Sequence, residues 1–126
     1  MPKNKYIDMD ITNLPTPAFI VDERLLKRNL EILKSVIDRT GCKILLAQKG
    51  FSMFYFYPLI GKYLNGTTAS SLFEARLGYE EMELKNTERK LETHIFNPSY
   101  REDEFDEIME ITNHLVFNSL TQYEFL

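Results

Sequence analysis

The chain has 126 residues, 44% of them hydrophobic and 13% aromatic, which is enough for one domain with a buried core. A net charge of −4 with interspersed acidic and basic residues argues against nucleic acid as a partner. A single cysteine, Cys42, excludes an internal disulfide and a cysteine-based zinc site, and it fits a reducing, cytoplasmic setting.

Residues 1–17 read as an irregular lead-in, since Pro15 and Pro17 disfavour helix. No apolar stretch follows Met1 as a signal peptide would require, and no run reaches the ~20 residues of a membrane helix. Ala18–Val21 reads as a strand. Asp22 suits a helix N-cap, Leu26, Leu30, Leu33 and Ile37 recur at helical spacing, and Gly41 suits a C-cap. Lys43–Gln48 reads as the next strand, and Pro58 suits the first turn of the helix after it.

The alternation then continues. Thr67–Ser70, Thr93–Asn97 and His114–Asn118 read as strands. Leu72, Ala75, Tyr79 and Met82 mark one helix face, and Phe105, Ile108 and Met109 mark another. Ser71 with Glu74, Ser99 with Glu102, and Thr121 with Glu124 each fit a capping box. Strand–helix alternation of this kind predicts a parallel sheet with crossover helices. In such folds the carboxyl ends of strands carry the ligand chemistry, and Lys49, Ser70, Asn97 and Asn118 fall there. No glycine-rich phosphate loop of the Rossmann or P-loop type is present. The chain stops at Leu126 in an uncapped helix and reads as the first part of something longer.

Lys49 stands out among the candidate residues. It follows an apolar strand and precedes the aromatic group Phe51, Phe54, Tyr55, Phe56 and Tyr57, so partial desolvation is expected, which favours the nucleophilic neutral amine. An isolated strand-end lysine more often simply reaches solvent. Glu74 has the capping-box role as its plain alternative, and His94 that of a packed strand histidine. His114 reads as structural, the aromatic group as core or contact packing, and Cys42 as an ordinary buried or half-buried residue. Ser70, Asn97 and Asn118 have turn and cap roles open to them.

Five segments together resemble the N-terminal part of the carboxynorspermidine (carboxyspermidine) decarboxylase family. They are Thr16–Asp22 (TPAFIVD), Ile44–Phe51 (ILLAQKGF), Gly66–Gly78 (GTTASSLFEARLG), His94–Tyr100 (HIFNPSY) and His114–Ser119 (HLVFNS). The resemblance implies a pyridoxal-phosphate decarboxylase with an alanine-racemase-like barrel. The fold class is then α/β, the first half of a parallel (β/α)8 barrel spanning residues 24–126. Residues 1–23, with the first strand, would join a second, β-rich domain missing from this chain. The resemblance makes Lys49 the residue that forms a Schiff base with the cofactor, and it puts Glu74 and His94 near the cofactor. No metal centre is expected. It further implies a carboxylated polyamine substrate, a homodimer at full length, and phosphate- and substrate-binding residues beyond Leu126. The fragment alone would then be inactive. Gln48 departs from the pattern, which has an apolar residue there in many relatives, and leaves the subfamily open. Decarboxylation of ornithine, arginine or diaminopimelate, or a non-catalytic cofactor-binding barrel, are the alternatives.

Overall fold

A computed structural model describes residues 12–125. Helix α1 spans Glu23–Thr40. The Asp22 carboxylate accepts from the Arg24 and Leu25 amides at its start, and Gly41, at φ 71°, closes its end in the left-handed region that glycine adopts most readily. Of its apolar stripe only Leu30 is fully buried; Leu26 and Ile37 pack at the edge of the core, and Leu33 stays exposed.

Strand β1 is short, Leu46–Ala47, and a 3-10 turn at Phe54–Phe56 leads into α2, Tyr57–Ile60, with Pro58 in the first turn. Then follow β2 (Gly66–Ala69), α3 (Leu72–Gly78), β3 (Glu92–Phe96), α4 (Glu102–Ile111), β4 (His114–Val116) and α5 (Leu120–Phe125). The four strands form one parallel sheet in the order β1-β2-β3-β4. The alternation thus gives the α/β architecture expected from the sequence. The register pairs Ala47 with Thr68, Thr68 with His94, and His94 with His114.

Side-chain alternation divides the sheet into two faces. Leu46, Thr67, Ala69, Thr93, Ile95 and Leu115 turn toward the helices, where the core lies in two parts. One joins Leu30, Phe56, Tyr57, Ile60, Leu64, Met82 and Leu91. The other joins Ala69, Leu72, Ala75, Ile95, Tyr100 and Ile108. The opposite face carries Ala47, Thr68, His94, Phe96, His114 and Val116.

Several expectations are corrected. Ala18–Val21 forms no strand: no other strand pairs with it among the described residues, and Phe19 is fully exposed. Part of the expected 1–23 segment lies outside the described residues. Helix α3 ends in a π turn at Tyr79–Glu83, closed by the Leu84 amide on the Tyr79 carbonyl at 2.9 Å. The extra residue still delivers Met82 to the core. The Ser99 box does not form, because the Asn97 side chain takes the Ser99 amide (3.0 Å) and α4 begins only after Arg101. Three acidic residues, Glu102, Asp103 and Glu104, complement its N-terminal dipole instead. The box expected at Thr121 is made two residues earlier. The Gln122 amide donates to Ser119 Oγ (3.1 Å), and Gln122 Oε1 accepts from the Asn118 amide (2.7 Å). Met109 is exposed, since α4 buries only Ile108 and half-buries Phe105. Cys42 is exposed as well, just past the cap of α1.

Candidate functional site

At the carboxyl ends of the strands the outer face forms a cleft of about 310 Å³. Ala47, Lys49, Thr68 and Ser70 line one side, and His94, Phe96 and Val116 the other. The register explains the grouping. Residues two apart on a strand share a face, and parallel pairing sets the equivalent residues side by side.

Lys49 sits in a tight turn just beyond β1. The Gly50 amide donates to the Ala47 carbonyl (3.0 Å) and the Phe51 amide to the Gln48 carbonyl (3.1 Å). Ser52 Oγ donates to the same Gln48 carbonyl at 2.7 Å. The expected desolvation of Lys49 is not met: the residue is exposed at the cleft mouth. The aromatic residues after it divide. Phe56 and Tyr57 enter the core, Phe51 is half-buried, and Phe54 and Tyr55 face solvent.

The turn is anchored from below by Gln48, which is 1% exposed. Its amide nitrogen donates to the Glu74 carbonyl of α3 (2.7 Å) and the Thr68 carbonyl of β2 (3.3 Å). Its amide oxygen accepts from the Tyr57 hydroxyl at 3.2 Å. A buried amide so fully partnered is stable where an unpaired one would not be. An apolar residue at this position could not tie β1 to β2, α2 and α3 in this way. Gly78 lets α3 come close: a Cβ there would meet Thr67 Oγ1 at 2.2 Å. Burial, and secondarily the charge of Glu74, push the Tyr57 phenol up to about 12.

Glu74 serves the neighbouring loop. Its carboxylate accepts from the Ser70 amide (2.7 Å), while Ser71 Oγ accepts from the Glu74 amide (3.3 Å). The capping box is therefore displaced by one residue on its return leg. Asn97 and Asn118 also perform turn and cap work, as do Tyr100 and Gln122 around them. The Tyr100 hydroxyl accepts from the Asn97 amide (3.3 Å) and donates to the Val116 carbonyl (3.0 Å), tying β3 to β4.

His94 lies on the cleft wall, and His114, expected to be structural, lies beside it with ring centroids 4.3 Å apart and planes tilted by 56°. His94 Nε2 is 2.9 Å from Glu92 Oε2, and Lys43 pairs with the other oxygen of Glu92. The Lys43 ammonium, and then His94, hold the Glu92 carboxyl below its ordinary value. The sequence reading did not bring Lys43, Glu92 and His114 together. The spacing Glu92-x-His94 was the available signal, because it sets both side chains on one face of a strand.

The residues present fit the anchoring end of an aldehyde cofactor. They offer one accessible amine at the mouth of a largely apolar cleft, with the Ser70 loop held by Glu74. Among the described residues none forms a glycine-rich phosphate cradle.

No family model matches the chain. Over 110 residues it is 41% identical to a carboxynorspermidine/carboxyspermidine decarboxylase of Campylobacter jejuni, covering 87% of this chain and 27% of that protein. It is 37% identical over 113 residues to a carboxyaminopropylagmatine decarboxylase of Synechocystis, covering 90% and 27%. A carboxynorspermidine/carboxyspermidine decarboxylase of Herminiimonas arsenicoxydans is 33% identical over 111 residues, covering 88% and 28%. The crystal structure of carboxynorspermidine decarboxylase from Campylobacter jejuni, complexed with norspermidine, superposes with a TM-score of 0.78 at 41% identity, over 86% of this chain and 28% of that one. The chain thus spans little more than a quarter of the length of the relatives it matches, in their N-terminal part. The resemblance read from its motifs is to the carboxynorspermidine/carboxyspermidine decarboxylases among these.

Proposed function

We propose that this chain is the N-terminal part of a pyridoxal-phosphate-dependent decarboxylase of a carboxylated polyamine, carboxynorspermidine or carboxyspermidine, yielding norspermidine or spermidine. One observation carries the reading. In a chain similar to two such decarboxylases and to a carboxyaminopropylagmatine decarboxylase, the lysine following the first strand of a parallel sheet opens onto the cleft at the strand ends. On this reading the sheet is the first half of an eight-stranded barrel, residues 1–23 contribute to a second β-rich domain, and the full-length protein is a cytoplasmic homodimer.

Bound in the cleft, pyridoxal phosphate supplies an aldehyde for amines and a ring that takes up the electron pair left when carbon dioxide departs. Lys49 would supply the amine that holds the cofactor's aldehyde at the cleft mouth. The same exposed amine would be available in the cleft as a proton donor or acceptor. Glu74 acts as a positioning residue through the Ser70 amide. His94 and Phe96 form part of the cleft wall across from Lys49. On this reading the chain by itself is inactive, since none of the described residues forms a phosphate grip.

The test is a chimera in which residues 12–125 replace the matching segment of the Campylobacter jejuni enzyme. Borohydride reduction with pyridoxal phosphate, then peptide mapping, should place one pyridoxyl group on Lys49, and Lys49→Ala should abolish both adduct and turnover. Adducts spread over other lysines, with Lys49 unlabelled, would sink the proposal. A panel of carboxynorspermidine, carboxyspermidine, ornithine, arginine and diaminopimelate sorts substrates. A Lys49 adduct with no product from any of them would favour a non-catalytic cofactor-binding barrel.

A further inference from the structure

The group around His94 has features that the cofactor reading does not require. Glu92 and His94 lie on one face of β3, and His114 is the register partner of His94 on β4. Both imidazoles turn their Nε2 atoms toward a single carboxylate oxygen. His94 Nε2 is 2.9 Å from Glu92 Oε2, and His114 Nε2 is 3.8 Å from it. One donor atom from each of the three residues lies within 4.8 Å of the other two.

Those separations can be compared with the needs of an ion. Ligands at about 2.0–2.2 Å from one zinc in a tetrahedral arrangement are about 3.4 Å apart. The distances of 2.9 and 3.8 Å lie on either side of that value, each within about half an ångström of it. The third separation, between one nitrogen of each imidazole, lies within 4.8 Å, so seating an ion asks the two rings to close on it by side-chain adjustment. The geometry points to a divalent transition-metal site formed by Glu92, His94 and His114, with an open fourth position toward the cleft face.

The donor set selects the class of ion. Two imidazoles and one carboxylate suit zinc and its neighbours, whereas magnesium and calcium prefer all-oxygen shells. The single cysteine excludes only a cysteine-based zinc site, and a histidine–carboxylate set falls outside that criterion. Lys43, paired to Glu92 Oε1, leaves Oε2 free for the ion but sets a positive charge beside it. Its side chain is 57% exposed on a flexible stem, so it can turn to solvent when an ion enters. A bound ion would join β3 to β4 across the register pair His94–His114. The site stands on these three residues and does not depend on the decarboxylase reading.

The experiment is zinc titration of the metal-stripped chain by calorimetry, with cobalt(II) as a spectroscopic probe. Saturation at one equivalent is expected, together with visible cobalt absorption bands of a low-coordinate nitrogen–oxygen site. His114→Gln, at a half-exposed position where folding should be unaffected, should weaken zinc binding about tenfold or more, with an unchanged thermal melt. Lys43→Gln should tighten it, since the competing charge is gone. Failure to saturate at one equivalent would overturn the site. So would zinc affinity that survives both His94→Gln and His114→Gln, because exposed carboxylates alone would then be binding the ion.

Discussion

Replacing Gln48 by leucine exchanges a buried amide for an apolar side chain of similar size. The amide makes three side-chain hydrogen bonds, at 2.7, 3.2 and 3.3 Å, to Glu74, Tyr57 and Thr68. Each contributes roughly 1 kcal/mol net, and leucine recovers about 1 kcal/mol by burying more apolar surface. The Tyr57 hydroxyl, in a residue with no exposed surface, keeps only a long contact to the Phe51 carbonyl at 3.4 Å. Gln48→Leu should therefore destabilise the chain by about 2 kcal/mol, or a melting-point drop of roughly 8 °C for a domain of this size. Urea denaturation of wild type, Gln48→Leu, Tyr57→Phe and the double variant forms a cycle. Because the two side chains share a bond, the double variant should lose less than the two singles together, by about 1 kcal/mol. A Gln48→Leu protein as stable as wild type, or additive losses, would refute the view that this buried amide ties the Lys49 turn to the sheet and helices.

Gly78→Ala should destabilise by about 1–3 kcal/mol despite the better helix propensity of alanine, since the new methyl meets Thr67 Oγ1 at 2.2 Å; Thr67→Ala in the same chain should restore part of the loss in a thermal melt. Lys49→Arg should leave stability within about 0.5 kcal/mol of wild type, because the side chain is exposed and its removal empties no core, while abolishing the borohydride-trapped adduct in the chimera. The Tyr57 phenol is pushed up to about 12 by burial, so the unfolded chain releases that proton near its ordinary value of 10 while the native state retains it. Stability is then full below pH 10 and falls as pH rises toward 12; Tyr57→Phe should flatten that limb of a pH–stability curve. Glu92 titrates below its ordinary 4.5, chiefly through Lys43, so its contribution is present above that value and is lost as pH falls below it. Glu92→Gln should shallow the acid limb of the same curve.

Periodicity and caps were enough to place most of the fold. Asp22 and Gly41 bound α1, Pro58 starts α2, and four of the five expected strands pair in parallel in chain order. These features are local: a cap or a period-two apolar run acts within a few residues, so it can be read from them. Ala18–Val21 failed because a strand is made by its neighbour, and none is present among the described residues. The capping boxes at Ser99 and Thr121 failed because Asn97 and Ser119 offered competing hydrogen bonds two residues earlier.

The position of Lys49 at a strand's carboxyl end was legible in the same local way, and with it the region of the candidate site. Its exposure was not, since that depends on which side of the sheet the helices cover. The role of Gln48 was equally hidden. A glutamine in an apolar strand looks like a departure until Thr68, Glu74 and Tyr57 arrive from three other elements to satisfy it. Glu92, His94 and His114 meet for the same reason: parallel register sets residues 20 positions apart side by side. The one-dimensional pattern determined most of the elements, their order and the position of Lys49. Register and helix packing, which act between segments distant in the chain, decided which side chains share a face and which polar groups are paired inside.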